Sequence, residues 1–584
     1  MFESAIGLSA AAVVGCFLCY RIYRRLQLSV AKHPSLSGHA RLSKRLARAL
    51  PRYEYTLEQA LNCDGAAEAI VIRRKAALKR LSDHFSSANS ENLRLTRALQ
   101  PSVSDMQFTN SSRVPFQFRQ ITQQMLPLGA FATASRGVEL CDPDGNWSYD
   151  IGGSYGVNLL GYDFYKACIE RGAQRVAELG PVLGPYHPLV AENVEMLKTI
   201  SGLDEVSFHM SGTEAVMQAV GLARFHTRRT HAVMFCGAYH GWWDGVQPGV
   251  GSQRTSRDTY LLKDMSDAAL RVLETRHDLA CVLINPLQAL HPNRGATSDA
   301  MLIASDRSAG FDKAAYAAWL QKLRDVCTRR SIPLIFDEVF VGFRLGQRGA
   351  QEFFGVQADL VTYGKTLGGG LPIGALCGRA DLMQRFREDY PADVCFARGT
   401  FNSHPYVMAS TNEFLRFAVT EAFAAQISAD QNTWNDRAQQ MNQRLESANL
   451  PMRIENLSSV WILLYRTPNR FNWLLQYYLR AEGLSLSWVG TGRFIFSHNY
   501  SDDDFSAVID RFVAAGSRMR EDGWWAPLPA LQNSTIKRTV LTEVLSHKLK
   551  AVPKKLRPAQ NSAASTARAS SDPAVHRASD TRAL

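Results

Sequence analysis

LIFDEVFVGFRLGQRGAQEFFGVQADLVTYGKTLGGGLPIG, residues 334–374, is the stretch from which the rest of the chain is read. It contains two strand-sized apolar runs. The first ends in the acid pair Asp337-Glu338, and the second, LVTYG, ends at Lys365. Uninterrupted apolar runs of this length suit strands covered on both faces. Lys365 follows Asp337 by 28 residues, enough for the chain to return to the same sheet edge. The cluster Gly368-Gly369-Gly370 beside the lysine lets backbone approach a ligand closely. Burial raises a carboxylate's proton affinity unless a cation is paired with it. A lysine desolvated near another positive centre loses its proton more easily and becomes nucleophilic. The ordinary alternatives are an Asp337 paired with Arg344 and a Lys365 on the surface of a glycine loop.

Outward from this stretch, short apolar runs alternate with amphipathic ones. HPLVAENVEMLKTISG (187–202), EAVMQAVGLARFH (214–226) and AAYAAWLQKLRDVCTRR (314–330) have helical periodicity. VSFHM (206–210), HAVMF (231–235), CVLIN (281–285) and PLIFDEV (333–339) read as buried strands. Such alternation predicts a parallel sheet with helical crossovers. ATASRGVELCDPDGNWSYDIGGSYGVNLLGY (132–162) is broken by Asp-Gly and Gly-Gly turns and predicts hairpins. After about residue 405 a long helix gives way to mixed elements, a smaller α+β domain.

Two further motifs join the acid and the lysine. Ser211-Gly212-Thr213 stands between a strand and a helix, where free N–H groups make a ready phosphate site. Tyr239-His240 follows the next strand, where an aromatic could cover a planar ring. A buried acid, a nucleophilic lysine, a phosphate turn and an aromatic are the parts that pyridoxal 5'-phosphate (PLP) chemistry needs. The acid holds the pyridine nitrogen protonated and the lysine forms the Schiff base.

In this order the motifs resemble the class III (ω-type) aminotransferases, and within them the glutamate-1-semialdehyde aminomutase-like branch. DPDGNWSYDIGGSYGVNLLGY, SGTEAVMQAVGLAR, GAYHGWWDGV, LIFDEVFVGFR, GAQEFFGVQADLVTYGKTLGGGLPIGALCGR and GTFNSHPYVMAS carry the resemblance, over about residues 115–520. The chain is also similar to aminotransferases of polyketide and peptide natural-product biosynthesis. The resemblance implies an α/β, type I PLP-dependent transferase fold: an αβα large domain, a smaller α+β C-terminal domain, and a homodimer with active sites at the interface. It implies that Lys365 forms the Schiff base and then moves the proton. Asp337 would hold the ring nitrogen, Val339 and Tyr239 would flank the ring, and His240 would stand beside the cofactor. Ser211, Gly212 and Thr213 would hold the phosphate, joined by Thr400 from the neighbouring subunit. Ser154, Tyr155 and Gln288 would lie on the substrate side. The implied reaction moves an amino group from an amino-acid donor to an aldehyde or keto group of a small or carrier-bound intermediate. The alternatives are an intramolecular aminomutase and a membrane-tethered scaffold without catalysis.

Three departures qualify the resemblance. Ile284-Asn285-Pro286 replaces the usual Val-Glu-Pro, the loop after Thr400 reads Phe401-Asn402-Ser403-His404-Pro405, and no carboxylate-binding arginine segment is evident before residue 130. They argue against the tetrapyrrole-pathway aminomutase and leave donor and acceptor open.

The ends are read from composition. The 584 residues carry 66 Lys and Arg against 54 Asp and Glu, and much of the surplus lies in residues 21–80 and after Lys548. Residues 5–20 are uncharged and meet Arg21, Arg24 and Arg25. With the basic flank on the C-terminal side, residues 1–30 predict a membrane anchor with the catalytic part facing the cytoplasm; the alternative is a cytoplasmic protein. Residues 31–105 predict a basic helical extension, in which ARLSKRLARAL (40–50) and AIVIRRKAALKRLSDHF (69–85) could lie on an anionic membrane surface or form an ordinary solvated helical face. The expected domains are then 106–405 (PLP-binding), 406–530 (small) and 531–584 (a basic, disordered tail). No recognition motif for nucleic acid accompanies the charge. The ten cysteines are scattered, as in a reducing compartment, and no metal set is expected.

Overall fold

The computed structural model describes residues 2–32, 53–107, 114–243, 245–246, 258–290, 312–486, 492–526 and 531–555. Its first element is a 30-residue helix, α1 (Phe2–Ala31). The last two turns of α1 dock on the body of the molecule. Ala31 is fully buried and Leu28 packs on the main core. The Lys263 N–H donates to the Ala31 carbonyl (2.8 Å), satisfying one of the helix's terminal acceptors. Thr275 Oγ1 donates to Gln27 Oε1 (3.2 Å). Upstream, Val13, Val14, Phe17 and Leu18 are exposed. Among the described residues no helix is long and apolar enough to cross a membrane. The span expected over residues 5–20 is therefore not a feature of the described structure, which shows a helix rooted at one end with exposed apolar side chains upstream.

Residues 53–107 are part of a domain core, not an appendage. Helix α2 (Glu68–Ala88) buries Arg74, Ala77, Leu78, Leu81 and Phe85. The helical spacing of these residues makes one stripe, which packs with Trp473, Tyr477 and Trp524 of the small domain. Residues 69–85, read from the sequence as a membrane-facing or an ordinary solvated helix, instead turn their apolar stripe into the protein core. Residues 40–50 lie outside the described residues.

The main sheet has seven strands: β1 (Glu205–His209), β2 (His231–Phe235), β3 (Thr259–Leu262), β4 (Leu279–Ile284), β5 (Leu334–Asp337), β6 (Leu360–Gly364) and β7 (Gly374–Gly378). Their order is β1-β7-β6-β5-β4-β2-β3. β7 is antiparallel to both neighbours, and the other pairings are parallel. β4, β5 and β6 are buried throughout, as expected of strands covered on both faces. Helix α3 (Gly212–Thr227) lays Ala215, Val216, Ala219, Val220 and Ala223 on one face of the sheet. On the other face α4 (Lys313–Arg329) buries Tyr316, Trp319, Leu320 and Leu323. Asp337 ends β5 and Lys365 follows β6, which lies beside it with Asp337 opposite Thr362.

The small domain begins with the 27-residue helix α5 (Glu421–Ser447). Three antiparallel strands follow: β8 (Met452–Leu457), β9 (Val460–Tyr465) and β10 (Arg493–Ile495). The segment Leu484–Ser485 of this domain pairs with Trp147–Asp150 of the hairpin sheet. The stretch from 531 is not a patternless tail throughout: Asn533–Lys555 forms α6, with Ile536 and Val544 buried. Glu543 of α6 meets Arg470 of the small domain (3.2 Å). Residues 556–584 lie outside the described residues.

Candidate active site

The C-terminal ends of β4, β5 and β6 open into a cavity of about 580 Å³. Ligands of open α/β sheets bind at such ends because loops and helix N-termini converge there. Asp337 is 3% exposed, and one of its oxygens is 2.7 Å from His240 Nδ1. The other accepts from the Val339 N–H (3.2 Å) and Thr362 Oγ1 (3.4 Å). Asp337 is thus paired with His240, and the alternative pairing with Arg344 does not occur. Arg344 instead donates to Ser459 Oγ and the Phe496 carbonyl, each at 2.8 Å.

Lys365 lines the same cavity, just beyond the end of β6. Its Nζ lies 5.5 Å from the centre of the Phe340 ring. Its backbone has φ +52°, a left-handed conformation that costs energy for a non-glycine residue and recurs at functional sites. Burial holds the amine's pKa below the usual lysine value; Asp337 opposes that effect and Arg344 adds to it. The amine is thereby more easily deprotonated, as a nucleophile or base requires.

The third wall is the N-terminus of α3. Ser211 caps it, its Oγ accepting from the Glu214 N–H (3.2 Å). The first N–H groups of a helix have no intrahelical partner and carry partial positive charge. The start of β7 leans on this turn: a Cβ on Gly374 would sit 2.0 Å from the Ser211 carbonyl oxygen. Glycine is required there by lack of space.

The cavity is lined by Ser211, Gly212, Thr213, Tyr239, His240, Asp337, Val339 and Lys365, all named from the sequence. Four other named residues do not line it. Gln288 is buried behind the wall, donating to the Cys236 carbonyl (2.7 Å). Ser154 and Tyr155 stand at φ +44° and +59° on the turn Gly153–Gly156, and Ser154 Oγ is 2.7 Å from Tyr162 Oη. Their turn still touches the site, because a Cβ on Gly156 would meet the Phe340 ring at 2.7 Å and Lys365 Cδ at 3.5 Å. Thr400 is exposed, in a segment on which Phe396 and Phe401 are exposed too.

Sequence reasoning missed Arg493. It lines the cavity from β10, and burial pushes its pKa down to about 10. Its Nε is buried and, among the described residues, has no hydrogen-bond partner. The available signal was one arginine in the otherwise apolar run GRFIF, but its partner wall is more than a hundred residues away. Asn285, where the sequence departs from the expected glutamate, also lines the cavity and donates to the Tyr239 carbonyl (3.2 Å).

The residues fit PLP. A helix N-terminus with a hydroxyl suits the phosphate, a buried acid suits the ring nitrogen, and a readily deprotonated lysine suits the carbonyl. His240 Nε2 is buried without a partner among the described residues, so the wall behind Asp337 has unspent polar capacity.

A family model described as aminotransferase class-III matches residues 121–513. A glutamate-1-semialdehyde 2,1-aminomutase of Flavobacterium johnsoniae is 33% identical over 303 residues, 49% of this chain and 65% of that protein. The chain therefore spans just under two thirds of that relative's length. The protein of the same description from Methanocaldococcus jannaschii is 30% identical over 369 residues, 59% of this chain and 79% of that one. Among solved structures, a glutamate-1-semialdehyde-aminomutase from Pseudomonas aeruginosa PAO1 in complex with PMP superposes with a TM-score of 0.60. That match has 17% identity and covers 77% of this chain and 99% of the other, a likeness of fold.

Proposed function

This chain belongs to the class-III aminotransferase family, and from that premise we propose that it moves an amino group from an amino-acid donor to an aldehyde or keto group of a biosynthetic intermediate. The carrying observation is that Asp337, at the end of β5, and Lys365, just after the neighbouring parallel strand β6, line one cavity with the N-terminus of α3. PLP, the family's cofactor, supplies the carbonyl that accepts the amine and a ring that draws electrons from the bond being broken.

Ser211 and the first N–H groups of α3 would hold the phosphate. Asp337, oriented by His240, would keep a proton on the ring nitrogen. Val339 and Tyr239 would bound the ring. Lys365 Nζ, lowered in proton affinity by burial, would attach the cofactor and would then take and return the substrate proton. Arg493 holds the carboxylate of the donor: a guanidinium binds a carboxylate through two parallel hydrogen bonds, and this one has a free buried N–H. A homodimer would place Thr400 and its exposed aromatic neighbours against a second copy, where Thr400 reaches that copy's phosphate.

The aminomutase reading keeps the same cofactor roles but consumes no separate donor. Purified enzyme in its amine-loaded form distinguishes the two. Release of a keto acid from the donor supports transfer, whereas isomerisation of one substrate with no donor consumed supports the mutase. Visible cofactor absorbance lost in Lys365→Ala tests the shared core, and its absence in the unaltered protein supports the scaffold reading.

For location we propose attachment to a membrane through α1, with the catalytic part on the cytoplasmic side. The support is the exposed row Val13, Phe17, Leu18 and Ile22 followed by Arg21, Arg24 and Arg25. Flotation with anionic vesicles should be lost when residues 1–20 are deleted; unchanged flotation would remove the idea.

A further inference from the structure

Arg344 is a buried cation beside the lysine without a carboxylate of its own. It is 1% exposed, and among the described residues it makes no ion pair. Its two terminal nitrogens are spent on neutral acceptors, while Nε is buried without a partner among the described residues. Nη1 donates to Ser459 Oγ and the Phe496 carbonyl (2.8 Å each). Nη2 donates to the carbonyls of Gly156 (3.3 Å) and Asn158 (3.4 Å). One side chain thus ties the turn that leans on Lys365 to strand-end backbone of the small domain.

From Ser459 the bonding continues inward. Ser459 Oγ is 3.0 Å from His498 Nε2, and His498 Nδ1 is 2.6 Å from Asp430 Oδ2. Ser459 and the His498 side chain are fully buried, while Asp430 retains some exposure. The direction of this chain follows from the charge state of His498. Burial holds its pKa below the usual imidazole value. In the neutral ring the Nδ1–H donates to Asp430, which as a carboxylate only accepts, so Nε2 is the acceptor and Ser459 donates to it. The next residue on α5, Gln431, donates to the backbone carbonyl of Arg344 (3.0 Å). Adjacent residues of one small-domain helix hold both the main chain and, at three bonds' remove, the side chain of Arg344.

We propose that Arg344 is a positioning residue for Lys365, acting by its charge and by anchoring the Gly153–Gly156 turn, and that Asp430 holds it in place through the one-way chain Arg344–Ser459–His498–Asp430. The orientation of the small domain is thereby coupled to the charge felt by the lysine. Neutral hydrogen bonds stabilise a buried cation only while all are kept, so loosening any link lets the guanidinium shift. The charged or titratable groups around Lys365 are Asp337 at the end of β5, Arg344, His240, bonded to Asp337, and Tyr239 and Arg493, which line the cavity. Arg344 adds to what burial does to the lysine. The inference rests on the reading that Lys365 is the amine that takes up PLP.

The test measures that amine directly. Full-length protein stripped of cofactor is exposed to pyridoxal 5'-phosphate across pH and reduced with borohydride, and the Lys365 peptide is quantified by mass spectrometry. Arg344→Met should move the midpoint of trapping up by about one pH unit, a tenfold effect at fixed pH. Arg344→Lys keeps the charge and should stay within about 0.3 of a unit. Ser459→Ala keeps the arginine but cuts the chain and should move the midpoint up by about half a unit. Variants that lose thermal stability but keep the wild-type midpoint show a merely structural arginine and overturn the proposal. If Arg344→Met does not fold, a wild-type midpoint in Ser459→Ala overturns it. Failure to trap Lys365 in the unaltered protein overturns the underlying reading instead.

Discussion

Two buried clusters in this molecule combine a cation with carboxylates, and they are opposite in design. Where residues 53–64, the small domain and α6 meet, Arg470 is 2% exposed. It pairs with Asp64 (3.0 Å) and Glu543 (3.2 Å) and donates to Tyr55 Oη (2.5 Å). Glu543 in turn accepts from Tyr55 (2.6 Å) and Tyr53 (3.2 Å). At the mouth of β5 and β6, Lys365 faces an aromatic ring and Arg493, among the described residues, makes no ion pair. Burying a charge costs several kcal/mol unless it is paired. The first cluster answers that cost within the fold and so joins three segments. The second leaves it unanswered, which is the state of groups awaiting a ligand.

Four substitutions sharpen this contrast. Lys365→Ala should abolish covalent cofactor and lower turnover by more than about 10³-fold, with the fold intact by circular dichroism. A residual rate near wild type would break the assignment. Arg470→Met leaves Asp64 and Glu543 without their cation, so it should cost about 3–5 kcal/mol of stability, read by urea unfolding. Trapping of pyridoxal phosphate on Lys365 should persist in the folded fraction. Arg493→Gln should raise KM for donors bearing an α-carboxylate by about 10- to 100-fold, the worth of a charged hydrogen bond, and leave simple amines unaffected. Equal loss for both would remove Arg493 from carboxylate binding.

The last substitution concerns Glu338, next to Asp337. Burial pushes its carboxyl up to about 8, and one oxygen accepts from the Ala350 N–H (2.7 Å). A folded-state pKa above the unfolded one means the native state binds the extra proton. That contribution to stability is complete below about 4.5 and is lost as pH rises through about 8. Glu338→Gln should therefore flatten the fall in melting temperature between those pH values. A parallel-shifted curve would mean that Glu338 does not titrate there.

How much could be read beforehand follows the range of the interactions. The runs HAVMF and CVLIN announce buried strands from their own composition, and they are β2 and β4. SGTEAV announces a capped helix, and Ser211 caps α3. Asp337 and Lys365 were legible because each ends an apolar run, so the strand that positions it is adjacent in sequence. Other features were not legible. The pairing of Asp337 with His240 crosses 97 residues. The residues from 533 onward carry few signals of their own, and α6 is placed by Glu543 meeting a cation 73 residues earlier. Residues 69–85 have an amphipathic pattern that fits a membrane surface or a protein core equally well.

The sequence by itself determined the alternation of strands and helices, the family resemblance, and the acid and lysine at the two strand ends, because periodicity and end residues are local properties. Only the tertiary structure decided which charges are satisfied: Arg470 by two acids, Arg344 by a chain reaching Asp430, and Arg493 by no carboxylate among the described residues. An arginine looks the same in a sequence whether its partner is a fixed carboxylate or an incoming one. The difference lies in desolvation and in what packs within hydrogen-bonding distance, and both are set by parts of the chain tens to hundreds of residues away.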